Sequence, residues 1–356
     1  LAMRPLLTAS RVFCRRLTKT GTDLICCDRA TGNIVWRLQT PTLLVSDPLL
    51  IRDRLQIFTV TTDETGPALL RLLTVDATRG VVTDEVEVLR LFADSSLPAH
   101  LCLATVDDDR IFFSVSGSVA CCDFHGQCVW VRQQSWTPPL LDPMRRIRAW
   151  QPPLIHGETV LVSQPGIDGV DCLDRSSGRI LWSQMVPGLK RVVGLTEDQL
   201  LVERQDGLES LAVNDGRSLW QYHTTSLMDA VLAGPPLKVD VKVVPGETPP
   251  ADELLKPQSI LVTRWNQLPK NIMEARLVWL DPKTGQALAE LPLSELNSKE
   301  VAVGPFVTSG ERVWLYGAQD RKEARRILYE LVKTEARQPT PLIDESWAAW
   351  MPEFRE

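Results

Sequence analysis

Two pairs of neighbouring cysteines, Cys26-Cys27 and Cys121-Cys122, have the plainest capacity for chemistry in this chain, as nucleophiles, metal ligands or redox groups. They belong to a set of eight cysteines in 356 residues, too sparse for a disulfide-built scaffold. Cys122, His125 and Cys128 lie three apart and could, with Cys121, be drawn around zinc. Zinc sites of that composition usually come as two separated pairs, whereas these residues crowd one tight hairpin. Strand alternation accounts for Cys128, and His125 falls in the hairpin loop. The four histidines, His100, His125, His156 and His223, are scattered along the chain. No serine elbow, glycine-rich phosphate loop or paired-carboxylate motif accompanies them, so catalysis is left without a supporting constellation.

Composition narrows the remaining classes. The formal net charge of -6 argues against a nucleic-acid binder, which normally shows a basic face over a basic total. No stretch of 18 apolar residues occurs, so the sequence predicts no transmembrane helix. The chain opens Leu1-Ala2-Met3-Arg4-Pro5 without a signal-like apolar run, and we expect it to be part of a longer or processed polypeptide. Eleven Trp against 8 Phe and 3 Tyr indicate that tryptophan is placed at chosen positions.

Those positions belong to a repeat. A turn-plus-tryptophan phrase recurs as Asp28-Arg-Ala-Thr-Gly32-Asn-Ile-Val-Trp36, Asp123-Phe-His-Gly126-Gln-Cys-Val-Trp130 and Asp174-Arg-Ser-Ser-Gly178-Arg-Ile-Leu-Trp182. Asn214-Asp-Gly216-Arg-Ser-Leu-Trp220 keeps the Gly and the Trp, while the copies at Gly285 and Gly80 end in Ala289 and Asp84. The head Asp or Asn can bond the backbone two residues on, and the Gly supplies the positive φ that closes a hairpin. Short apolar strands precede each turn, and a strand reaching the Trp follows.

Upstream of each hairpin lies a second strand-turn-strand phrase, such as Pro48-Leu-Leu-Ile-Arg-Asp-Arg-Leu-Gln-Ile57. A weak copy of it is split between Pro236-Leu237 and Ser259 to Thr263. Counting the first apolar residue of each second strand gives Val12, Leu55, Ile111, Val160, Leu200, Ile260 and Val313, seven units about 50 residues apart. Four strands at this period predict an all-β propeller of four-stranded antiparallel blades, with seven recognisable units and seven or eight blades, as one domain over residues 1–356. No 3.6-residue apolar pattern runs through the units, as helical repeats would require.

The phrase apolar-x-apolar-Asp-x-x-Thr-Gly-x-apolar-x-Trp resembles the tryptophan-docking repeat of the pyrroloquinoline-quinone (PQQ) propeller family, over nearly the whole chain. That family includes quinoprotein alcohol dehydrogenases and, without any quinone, the outer-membrane assembly factor BamB. The resemblance implies that Trp36, Trp130, Trp182 and Trp220 pack between adjacent blades, with Gly32, Gly126, Gly178 and Gly216 at the turns of the same motif. A dehydrogenase of the family would carry PQQ against a Trp, a calcium, an Asp base and a ring of two adjacent disulfide-linked cysteines.

Here both cysteine pairs occupy the two places just before the turn aspartate, where Leu or Ala would serve, and Cys172 fills one of those places in a third unit. An extended strand does not readily supply the contorted peptide that a disulfide between neighbours needs, so these cysteines read as small buried apolar residues. No Cys-x-x-Cys-His haem motif is present.

Departures from the repeat mark candidate contact loops. One is the proline-rich insertion 238–257, and the other is the stretch from Trp136 to Pro153 that carries Arg145, Arg146, Arg148 and Trp150, the residue types of interaction hot spots. The leading expectation is a non-catalytic, protein-binding assembly scaffold without a cofactor, periplasmic or in the cell envelope as the family resemblance implies. The alternative is a PQQ- and calcium-dependent dehydrogenase of alcohols or sugars. The oligomeric state is left open by the sequence.

Overall fold

The computed structural model describes residues 5–18, 21–61, 68–91, 102–115, 117–133, 151–163, 168–224, 227–233, 259–268, 272–292, 300–309, 312–319 and 325–332. Every regular element among them is a β-strand. The chain divides into two compact units, Leu1–Pro187 and Gly188–Glu356.

Four sheets make up the first unit. Sheet 1 runs β1 (Leu6–Leu7), β2 (Arg11–Thr18), β3 (Gly21–Asp28) and β4 (Ile34–Thr40). In sheet 2, β5 (Leu43–Leu44) and β6 (Leu49–Ile51) both pair with β7 (Arg54–Thr61), which continues into β8 (Ala68–Asp76) and β9 (Val82–Leu91). Sheet 3 is β10 (Leu103–Asp107), β11 (Arg110–Val115), β12 (Ser118–Asp123) and β13 (Cys128–Gln133). Sheet 4 is β14 (Leu154–His156), β15 (Thr159–Ser163), β16 (Gly169–Asp174) and β17 (Ile180–Met185).

The second unit follows the same plan. Sheet 5 comprises β18 (Leu189–Leu195), β19 (Gln199–Arg204), β20 (Gly207–Ala212) and β21 (Ser218–His223). Sheet 6 comprises β22 (Leu227–Ala233), β23 (Ser259–Leu268), β24 (Ile272–Leu280) and β25 (Ala287–Pro292). Sheet 7 contributes β26 (Glu300–Ser309), β27 (Arg312–Gln319) and β28 (Arg325–Val332) among the described residues. Neighbouring strands pair antiparallel, as in β11 with β12 and β19 with β20. This is the all-β, bladed architecture of a propeller, and the seven residues that index the repeat, Val12 through Val313, fall in β2, β7, β11, β15, β19, β23 and β27, an inner strand of each sheet.

Burial explains the sequence pattern. The middle strands are covered on both faces, so β12 and β20 are buried almost end to end; β12 carries an apolar run, Val119 to Cys122, whereas β20 also buries Glu209 and Ser210. Outer strands β13 and β17 alternate. Within the first unit the seams between sheets are apolar clusters: Phe13, Leu24, Leu55 and Val75 between sheets 1 and 2, Phe58, Leu70, Ile111 and Phe113 between sheets 2 and 3, and Val119, Val160 and Leu173 between sheets 3 and 4. Leu201, Ile260, Val262 and Val278 form the seam between sheets 5 and 6.

One boundary differs from the sequence reading. The expected first strand of sheet 6, Pro236-Leu237, lies outside the described residues, and the partner of β23 is β22, with Ala233 opposite Ser259. Leu227–Ala233 has no leading proline and no clean alternation, which hid it.

Candidate functional site

The turns are built as their residues dictate. Asp174 Oδ1 accepts from the Ser177 amide and hydroxyl and from the Ser176 hydroxyl, and Asp281 Oδ1 accepts from the amides of Lys283 and Thr284. These bonds favour the ionised carboxyl, so Asp174 is held down at about 2 from an ordinary 3.8, the Ser177 hydroxyl contributing most. Gly32, Gly80, Gly126, Gly178, Gly216 and Gly285 all have φ between 67° and 78°, the left-handed region that closes the turn.

Beyond the turn, six sheets shift register at one fixed place. Cys26 faces Trp36 but Cys27 faces Ile34, and the same slip separates Thr74 from Val75, Cys121 from Cys122, Cys172 from Leu173, Ser210 from Leu211 and Trp279 from Leu280. The extra residue on the outer strand is a β-bulge that re-aims the side chain after it, the tryptophan position.

Three residues line up across each sheet at that register. The rows are Phe13, Cys26 and Trp36 in sheet 1; Phe112, Cys121 and Trp130 in sheet 3; Leu161, Cys172 and Trp182 in sheet 4; and Leu201, Ser210 and Trp220 in sheet 5. A bulky apolar residue and an indole thus flank a small residue in each case. Phe13 and Trp36 have ring centroids 5.9 Å apart, and Phe112 and Trp130 6.2 Å.

The indole then reaches the next sheet. Trp36 Nε1 donates to Ala77 O, Trp130 Nε1 to Arg175 O and Trp220 Nε1 to Pro282 O, each at 3.0 Å. In every case the acceptor is the residue after the turn aspartate. The turn glycine of that sheet lies beneath the ring, since a Cβ on Gly80, Gly178 or Gly285 would come within 2.6 Å of Trp36, Trp130 or Trp220 respectively. Glycine is needed there for space as well as for φ. Gly32 has open space around it and keeps only the conformational reason. Trp182 is half-buried, and Gly216 has the positive φ of its counterparts.

Two sheets depart from the row. Sheet 6 reverses it, with Trp279 on the middle strand, buried, facing Ala289 on the outer one. In sheet 2 the row is polar, Gln56, Thr74 and Asp84. Among the described residues no indole reaches sheet 3 there; Gln56 Nε2 donates to Phe124 O at 2.6 Å, and Gly126 rests on Val86 and Val88. Phe124 follows the turn aspartate, so a buried amide supplies the hydrogen bond that tryptophan makes elsewhere.

Sequence reasoning did not single out Gln56, because only the cross-strand register aligns it with the tryptophan row. It also passed over Arg175, whose amide donates to Glu158 O, whose carbonyl takes Trp130, and whose guanidinium pairs with Asp107 at 2.7 Å and Asp108 at 2.9 Å. The guanidinium also lies 5.9 Å from the Phe112 ring centroid. Its place directly after Asp174 was the available signal.

The cysteines are all free thiols, and Cys26, Cys121, Cys122 and Cys172 are fully buried. Adjacent cysteines serve opposite faces: Cys121 packs into the seam with sheet 4 and Cys122 into the seam with sheet 2. That geometry does not fit the disulfide ring of a quinone site, which needs both sulfurs on one side. Burial pushes Cys121 up to about 11 and Cys122 higher still, so neither is a thiolate at neutral pH. Among the described residues no group of three or more His, Cys, Asp or Glu converges to hold a metal.

Among the described residues three of the four buried carboxylates pair with neighbouring arginines, and the fourth, Asp171, accepts from the Ser183 hydroxyl at 2.6 Å. Asp23 accepts from Arg16 and Arg37, Glu203 from Arg191 at 2.7 Å and Glu209 from Arg204 at 2.8 Å. Arg145, Arg146, Arg148 and Trp150, together with the insertion 238–257, lie outside the described residues.

No curated protein matches the sequence. Among solved structures, quinohemoprotein alcohol dehydrogenase from Comamonas testosteroni is 11% identical with a TM-score of 0.52, the match covering 95% of this chain and 66% of that one. The Pseudomonas putida enzyme of the same kind gives 11%, 0.52, 91% and 64%. BamB from Moraxella catarrhalis is 14% identical with a TM-score of 0.47, covering 88% of this chain and 92% of its own. At these identities the two dehydrogenases speak to the fold alone, a β-propeller. The sequence itself matches the profile of the family described as outer membrane protein assembly factor BamB over residues 95–346, well over half of the chain. This chain belongs to that BamB family of PQQ-repeat propellers.

Proposed function

We propose that the chain is a non-catalytic scaffold of the cell envelope that binds a protein partner engaged in outer-membrane protein assembly. The observation that carries this reading is the family match over residues 95–346. Two features of the site support it. The buried acids Asp23, Glu203 and Glu209 are neutralised internally by arginines, and Cys121 and Cys122 are spent on opposite sheet seams, so neither set is directed at a substrate.

The contact residues in this reading are Arg145, Arg146, Arg148 and Trp150, with the insertion 238–257 as a second arm. The test is capture of solubilised outer-membrane assembly proteins by the immobilised chain. Reversing the three arginines to glutamate is expected to weaken capture tenfold or more, about 1.4 kcal/mol, and trimming 238–257 to weaken it further. Undiminished capture by both variants would remove these segments from the interface, and failure of the unaltered chain to capture any such protein would remove the reading itself. Incubation with PQQ and calcium is the opposing arm, in which bound-cofactor absorbance and dye-linked alcohol oxidation would replace scaffold by enzyme.

A further inference from the structure

The hairpin between β12 and β13 brings together two sulfurs that are not neighbours in sequence. Its register sets Cys122 opposite Cys128, across the turn 123–127. Opposed residues of antiparallel strands have Cα atoms about 4.5 to 5.5 Å apart, within the range of about 4.4 to 6.8 Å over which a disulfide closes. The same register in sheet 4 is held by Leu173 and Ile180, and both of those pack against one apolar cluster, so paired side chains at this place share a face. In sheet 1 the residue opposite Cys27 is Ile34, and in sheet 4 the residue opposite Cys172 is Trp182. Only the sheet 3 hairpin offers two thiols at this step among the described residues. One of them, Cys128, is exposed, and the other, Cys122, is fully buried.

We propose that Cys122 and Cys128 form an oxidation site that closes to a disulfide by exchange with a small disulfide such as oxidised glutathione. The accessible Cys128 thiolate attacks one sulfur of the oxidant, the oxidant's S–S bond breaks, and the first thiol leaves from a mixed disulfide. Cys122 thiolate then attacks the Cys128 sulfur and the second thiol leaves. The two cysteine sulfurs together give up two electrons, the oxidant takes them, and the two cysteine protons end on the two released thiols.

The bond spans the turn whose Phe124 carbonyl accepts from Gln56 and whose Gly126 rests on Val86 and Val88. A covalent staple therefore falls at the one seam of the first unit where the row carries no indole. Burial raises both thiols, so exchange is slow at neutral pH and quickens as pH rises.

The test treats the full chain with oxidised glutathione at mildly alkaline pH, alkylates the remaining thiols under denaturing conditions and fragments the peptide spanning residues 111–132. The expected product is a Cys122–Cys128 link with Cys121 alkylated. Cys128→Ser is expected to leave Cys122 and Cys121 fully alkylated, and Cys122→Ala to strand a glutathione adduct on Cys128. Because Cys128 is exposed, its serine variant tests the site without disturbing the core. The proposal is overturned by a link from Cys128 to Cys121, by a lasting glutathione adduct on Cys128 of the unaltered chain, or by alkylation of all three.

Discussion

Cysteine at the middle of a row is set by its opposite number. Residues facing each other across antiparallel strands are close, so an indole on the outer strand leaves room only for a small side chain beside it, and Cys26, Cys121, Cys172 and Ser210 all meet that limit. Where the outer residue is Ala289, the middle one grows to Trp279, conserving volume across the pair. The indole gains burial, ring contact and one hydrogen bond together. Trp130 is 8% exposed, and Trp130→Ala is expected to lower the free energy of unfolding by about 3 to 5 kcal/mol, read from urea midpoints at constant slope. A change below about 1 kcal/mol would contradict burial of this ring.

At the scale of the element, the unit of construction is a hairpin plus the contact it receives from the preceding sheet. The turn aspartate belongs to that unit. Asp174 is depressed on folding, so the stability it contributes is present in full above about pH 3.8 and is lost as pH falls through about 2. A carboxyl-carbon titration should show the low midpoint, and Asp174→Asn should flatten the acid limb of stability against pH over that window. The contact from the preceding sheet belongs to it too. Gln56→Leu removes the donor to Phe124 O while keeping bulk, and should cost about 1 to 3 kcal/mol by leaving a carbonyl unpaired. The same change made by Gln56→Glu, which also lacks the amide donor, should be at least as costly.

Across the molecule, the period, the turns and the second strand of each unit were legible because each rests on residues adjacent in the chain: an Asp, a Gly four positions on, an apolar run. Asp28 with Gly32 and Asp174 with Gly178 fold as their spacing dictates. Gln56 was not legible, because its role depends on which residue another sheet places alongside, whereas Arg175 and the Cys122 to Cys128 pair carried a local signal, the place after a turn aspartate and a shared hairpin, whose partners and register only the fold supplies. Strand β22 was missed for a local reason, the lack of alternation in a segment lying ahead of the proline-rich insertion.

The displaced residue on each outer strand has a further effect. Among the described residues strand β13 is bonded on one side only, which leaves a row of its amides and carbonyls at an edge, and its own Val129 and Val131 are exposed. A straight edge of that composition would template aggregation in a crowded compartment. The slip at Val129 breaks the spacing of that edge, so an identical strand from another copy would not pair along it in unbroken register, and the irregularity that aims the tryptophan inward also interrupts the template.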